Sequence, residues 1–163
     1  MPAQSPGTVY SFDTSALIDG IERFYPIDNF PALWEKIDAL IVEGRLWISQ
    51  EAWDEAVIAD AALKDWCTDS AANRTSCIHP TDAAVAAVAG AIVAAFPNWI
   101  KQGRKNGADP FVIAVGEVTS GMVISGETNG GPGKPKIPYV CGQRNIPHGR
   151  FVDVVVAENW RFA

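Results

Sequence analysis

The spacing of apolar positions along the chain changes several times, and each change marks a boundary between elements. "TVYSF" (8–12) is a β-branched and aromatic run of strand type, and "SALIDGIERF" (15–24) returns to apolar residues at helical spacing. "FPALWEKIDALIVEG" (30–44) carries Leu33, Ile37, Leu40 and Ile41 on one helical stripe, with Pro31 near its start and Gly44 past its end. "LWIS" (46–49) is a short apolar segment that turns into a helix over "QEAWDEAVIAD", which Ser49 is placed to cap, and "ALKDWCTDSAA" (62–72) is a further amphipathic helix. "SCIHP" (76–80) reads as a short strand and "TDAAVAAVAGAIVAAF" (81–96) as a buried helix capped by Thr81 or Asp82. After a loop near "PNWIKQGRKNG", the stretch "ADPFVIAVGEVTSG" (108–121) reads as a helix with Asp109 placed to cap it and Pro110 at the favoured first position. "GMVISG" (121–126) is of strand type, "ETNGGPGKPKIP" (127–138) a loop, "YVCGQRN" (139–145) a turn or short helix, and "FVDVVVAENW" (151–160) a final helix or strand. Strands alternating with helices predict an α/β fold, a parallel sheet covered on both faces, with sites beyond the carboxyl ends of the strands.

Composition narrows the class. A chain of 163 residues with 48% hydrophobic content has the length and apolar material of one domain, 1–163, with its core over about 8–160. The longest apolar run, 83–96, is short for a membrane span, and "MPAQSPG" lacks the basic start and apolar core of a signal peptide. A cytoplasmic protein with no membrane partner is the expectation. Three cysteines, Cys67, Cys77 and Cys141, form no close pair, so buried reduced thiols are expected. A zinc site from Cys77, His79, Cys141 and His148 would lack the usual ligand spacing. The net charge of −6 gives no long-range attraction for a polyanion. Contacts with nucleic acid would then need metal ions or one of two local basic patches: Lys101, Arg104 and Lys105, or Lys134, Lys136, Arg144 and Arg150.

The acids change the picture most. Asp13 ends the first strand and Glu127 follows "MVIS", so two carboxylates from different strands come to one sheet edge. Asp109 joins them at the start of an apolar helix, and "SQEAWDEAV" adds Glu51, Asp54 and Glu55 near another. Singly, each has an ordinary role as a helix cap, a loop acid or a solvated charge. Together they would repel, by roughly 4 kcal/mol for a pair about 4 Å apart at an effective dielectric near 20. Such a group needs protons, cations or a divalent metal, and oxygen-only ligands suit Mg²⁺ or Mn²⁺. A metal held this way assists attack on a phosphodiester.

"FDTSALID", the acid in "AWDEAV", "ADPFVIAVG" and "MVISGE" resemble, in order and approximate spacing, the four acidic motifs of PIN-domain ribonucleases. The stretch from Phe24 to Ser49 looks like a PIN-like family of unknown function related to the VapC-type toxins of toxin–antitoxin pairs. The resemblance covers about Val9 to Trp160 and implies a three-layer α/β/α sandwich with a central parallel sheet. It also implies Mg²⁺- or Mn²⁺-dependent endoribonuclease activity that leaves a 5′-phosphate and a 3′-hydroxyl. On the matching positions, Asp13 and Asp109 would hold the principal metal, with Glu55 and Glu127 completing its environment; Glu51 and Asp54 are alternatives to Glu55. Ser15 would orient Asp13. The family's fourth acid is usually Asp in a Thr-x-Asp pattern, where this chain has Ser125, Gly126 and Glu127. A longer Glu would reach the metal through a water or mark weakened catalysis. RNA, a cognate antitoxin and a second copy of the chain are the partners implied.

Three further readings bear on function. The Gly-rich loop before Lys134 fails the phosphate-loop pattern, because Pro135 follows the lysine and Pro135 and Pro138 oppose a helix there. Lys134 and Lys136 remain candidates to touch the RNA backbone. Phe24, Tyr25, Phe30 and Trp34 could stack on bases, or fill a core or an interface. "DTS" also resembles an aspartic-protease turn, which would make Asp13 half of a carboxylate dyad in a strand-rich fold. A PIN-like binding or regulatory protein without efficient cleavage is the remaining alternative.

Overall fold

Tyr10, Ser11 and Phe12 form β1 (Tyr10–Phe12), the central strand of a five-stranded sheet. The computed structural model describes residues 7–59, 61–101 and 107–162. β1 lies between β2 (Leu46–Ser49) and β4 (Met122–Ile124), with Tyr10 opposite Leu46 on one side and Met122 on the other. β3 (Ile78–His79) lies beyond β2, and β7 (His148–Gly149) beyond β4; every neighbouring pair is parallel. The chain thus moves outward from β1 through β2 to β3, then crosses back to build β4 and β7. That reversal opens a crevice at the carboxyl ends of β1 and β4.

Helices cover both faces, giving the three-layer α/β/α sandwich. They are α1 (Thr14–Asp19), continued by a π turn over Gly20–Phe24, α2 (Pro31–Val42), α3 (Gln50–Ala59), α4 (Ala61–Thr68) and α5 (Ala83–Ala95). α6 (Pro97–Lys101), α7 (Asp109–Val118), α8 (Ile137–Gln143) and α9 (Phe151–Ala157) complete them. Alternation along β1 assigns the layers. Phe12 meets Phe151 of α9 edge to face at 5.6 Å, while the Ser11 hydroxyl points to the opposite layer and donates to the Val112 carbonyl of α7 at 2.7 Å.

Local signals act as read. The stripe Leu33, Ile37, Leu40 and Ile41 is buried, and Gly44, at φ +70°, takes the left-handed backbone that ends α2. Ser49 accepts from the Ala52 amide, and Asp82 rather than Thr81 caps α5 by accepting from Val85 at 2.9 Å. The three thiols are buried and free. No helix among the described residues is long and apolar enough to cross a membrane.

Four expectations change. The helix over 83–95 is not a buried one: it covers only Val85, Ala89 and Ile92 against the rest of the protein, since α7 meets one of its faces, and alanine favours a helix without needing burial. "GGPGKP" is a hairpin, β5 (Gly130–Gly131) antiparallel to β6 (Lys134–Pro135), rather than a plain loop. Pro138 does not oppose a helix; it sits in the first turn of α8, where its missing amide has no helical partner to lose. Asp109 is the first residue of α7 rather than its cap, which is Ala108.

Candidate metal centre

Asp13 leaves β1 with extended backbone and caps α1, accepting from the Ser15 amide at 3.2 Å. The Ser15 hydroxyl donates to the same Oδ2 and accepts from the Gly126 amide at 2.9 Å. One hydroxyl therefore ties the aspartate to the turn after β4, at Gly126, 111 residues beyond Ser15 in sequence. The backbone reinforces this: Asp13 N donates to the Ile124 carbonyl at 2.8 Å, and Ser125 N to that of Gly149 at 3.0 Å.

Glu127 follows that turn, its amide 3.4 Å from the Ser125 hydroxyl. Its Oε2 accepts from the Ile137 amide at 2.9 Å, so the side chain also holds the start of α8. Asp109, delivered by the N-terminus of α7, completes the group. Asp13, Asp109 and Glu127 each offer a carboxylate oxygen within 4.8 Å of the others. Asp13 is 4% and Asp109 6% exposed, and Asp109 Oδ2 is buried with no hydrogen-bond partner.

Electrostatics follow from burial and mutual repulsion. Burial, then the charges of Asp13, Glu127 and Glu55, push the Asp109 carboxyl up to about 9. Burial raises Asp13 against the lowering effect of its Ser15 and Thr14 hydrogen bonds. Glu127 is raised by burial and by Asp13, offset by the Ile137 amide and the Lys136 charge. Glu55 is raised by burial and then by Asp13, and it accepts a hydrogen bond from the Ala108 backbone. It stands on the rim of the group, outside the triad of close oxygens.

The other candidates sort clearly. Glu51 accepts from the Thr81 hydroxyl, and Asp54 accepts from Gln50 at 2.8 Å. Lys136 lies beside the site with Nζ 3.2 Å from the Thr128 hydroxyl, and Lys134 is exposed on the hairpin. Arg144 pairs with Glu117 at 3.0 Å, and residues 102–105 of the "KQGRK" patch lie outside the described residues. Trp34 is a core residue whose indole donates to the Tyr25 carbonyl at 2.7 Å, whereas Phe24 is 56% exposed. Among the described residues, the cysteines and histidines do not gather into a ligand group. Sequence reasoning missed the Gly126 amide as the second anchor of Ser15. Its one sequence signal is a glycine, free of Cβ, between Ser125 and Glu127.

Three carboxyl groups with one orphaned buried oxygen form an oxygen-only donor set, which suits a hard divalent cation such as Mg²⁺ or Mn²⁺. A family described as a domain of unknown function (DUF4411) matches residues 10–162 of the chain. No curated protein matches it.

Proposed function

We propose that the chain, which belongs to the DUF4411 family, is a Mg²⁺- or Mn²⁺-dependent endoribonuclease. The observation that carries the reading is the buried, unpartnered Oδ2 of Asp109 within a group of three carboxylates. Ionised and left bare, that oxygen is an acceptor without a donor, and the group repels itself. A hard cation resolves both.

Asp13, Asp109 and Glu127 would hold the ion, with Glu55 on the rim as an acceptor for waters around it. When bound, the ion supplies neutralisation of the scissile phosphate's charge and activation of the water that cleaves it. The chain's own residues fix the geometry. Ser15 locks Asp13 to the turn after β4, the Ile137 amide orients Glu127, and α7 brings Asp109 from the neighbouring layer. Lys134 and Lys136, on the rim formed by the hairpin, supply positive charge for the RNA backbone against a net charge of −6.

The likeness of the acidic motifs to PIN-domain ribonucleases supports this reading. It extends it to the toxin of a toxin–antitoxin pair, acting in the cytoplasm, partnered by an antitoxin and by a second copy of the chain. The parallel α/β sheet is not the strand-rich architecture that an aspartic protease needs. One observation favours a catalytically weak RNA-binding protein instead: Glu127 already gives one oxygen to α8.

The test is cleavage of RNA by purified protein with Mg²⁺ or Mn²⁺, beside Asp13→Asn, Asp109→Asn and a chelator control. Activity in the wild type that both substitutions and chelator abolish is the expected result. Equal activity in all three proteins would remove the mechanism, and metal-dependent RNA binding without cleavage would select the weak-binder reading.

A further inference from the structure

Behind the acidic group lies a cavity of about 290 Å³ that the metal chemistry does not use. Its volume is at the small end for ligand sites and suits one flat heterocycle. Phe151 and Tyr25 give it an apolar body, with ring centroids 5.2 Å apart, and Phe24, 6.3 Å from Tyr25, stands exposed at its edge. Phe24 therefore offers an exposed aromatic face at the mouth of the cavity.

The cavity and the acids share a wall. The turn of Ser125 and Gly126 lines the cavity, while the Gly126 amide is the group held by Ser15 and, through it, Asp13. On the cavity side the Asp19 carboxylate lies against Gly126 so closely that any Cβ at 126 would collide with its Oδ2. Asp19 is largely buried, and its ion pair among the described residues, to the exposed Arg23, is long at 3.6 Å. Arg150 also lines the cavity and, on its other side, the depression containing Glu127 and Asn129. It is exposed, and among the described residues its backbone makes hydrogen bonds with Asp153.

We propose that this cavity is a nucleobase subsite for the RNA nucleotide beside the scissile phosphate, that Asp19 makes it select guanine, and that Arg150 carries the adjoining phosphate. The inference rests on the ribonuclease reading for the position of that phosphate. Single-stranded RNA is read by splaying bases onto aromatic side chains and bonding their Watson–Crick edges. A carboxylate only accepts, and guanine alone among the four bases offers two adjacent N–H donors, N1–H and the N2 amino group, on that edge. Arg150, between the cavity and the Glu127 depression, supplies the cation that the backbone on this side of the acids requires.

The experiment titrates GMP, AMP, CMP and UMP into the full-length protein with Ca²⁺, following intrinsic tryptophan fluorescence, and in parallel maps cleavage positions in a mixed-sequence RNA with Mn²⁺. GMP should bind about tenfold more tightly than the others, and cleavage should fall beside guanines. Asp19→Asn should erase the preference, whereas Arg150→Gln should weaken all four nucleotides alike and reduce the salt dependence of RNA binding by about one ion. Equal binding of the four by the wild type, or a guanine preference that survives Asp19→Asn, overturns the subsite. If Asp19→Asn does not fold, Phe24→Ala decides: loss of nucleotide binding supports the subsite and unchanged binding overturns it. Discrimination among mononucleotides without RNA cleavage would overturn the ribonuclease reading alone, and cleavage without discrimination the subsite alone.

Discussion

Asp109 carries a large electrostatic cost, because its carboxylate is buried beside two others and its Oδ2 has no donor. Its carboxyl is held at about 9, so the fold favours the protonated form. The linked stability is complete below the ordinary carboxyl range, about pH 4, and is lost as pH rises through about 9. Metal-free protein should therefore lose stability to urea between pH 5 and 9, and Asp109→Asn should flatten that slope. On the proposed metal reading Mn²⁺ would replace the proton, so its stabilising effect should grow over the same range. A wild-type urea midpoint that does not move with pH in chelator would refute the account. Ser15 acts at the same scale. Its hydroxyl gives Asp13 one orientation and so brings a helix cap into the acidic group.

At the scale of elements, Glu127 joins two units, the turn after β4 and the helix α8. Its two oxygens allow two roles, and substitutions can part them. Glu127→Gln keeps an acceptor for the Ile137 amide while removing charge, so it should retain stability and lose Mn²⁺ affinity. Glu127→Ala should lose Mn²⁺ affinity and in addition about 1 kcal/mol of stability, as for a deleted helix cap. Equal melting of the two variants in chelator would show that the bond to α8 is energetically idle. A second link is Arg74, which pairs with Asp38 of α2 at 2.8 and 3.0 Å, donates to the Trp66 carbonyl of α4 at 2.7 Å and stacks over the Trp66 ring at 4.6 Å. Its planar fork is suited to all of these together, a geometry that lysine cannot match.

The molecule as a whole is closed by Glu158, just past α9. It accepts from the Tyr10 hydroxyl of β1 at 2.6 Å and from Arg45, before β2, at 2.6 Å. Removing it takes that acceptor from the part-buried Tyr10 phenol and leaves Arg45 with Glu43 and the Thr8 carbonyl. Glu158→Ala should cost about 2 kcal/mol in chemical denaturation, with Mn²⁺ affinity unchanged because the network is separate from the triad. A loss of Mn²⁺ affinity matching that of a triad variant would instead show that the central strand transmits this network to Asp13.

The alternation of elements, the stripe of α2, the caps at Ser49 and Asp82 and the placing of Asp13 at a strand end were legible in the sequence, because each depends on neighbours within a few residues. Periodicity could not reveal β7, a two-residue strand that holds its place through parallel bonding to β4, or the half-exposed state of α5, which depends on what packs against it. Nor could it part the acids. Local pattern treats Asp13, Glu51, Asp54, Glu55, Asp109 and Glu127 alike. Only the crossover that sets β4 beside β1, and the layer that lays α7 over them, brings Asp13, Asp109 and Glu127 within 4.8 Å while leaving Glu51 bound to Thr81, Asp54 to Gln50 and Glu55 on the rim. Sequence by itself determined which residues sit at the ends of strands and helices, since those ends are set by short-range sterics and hydrogen bonding. Tertiary structure alone decided which ends meet, because convergence depends on chain topology and burial, where charges distant in sequence first act on one another.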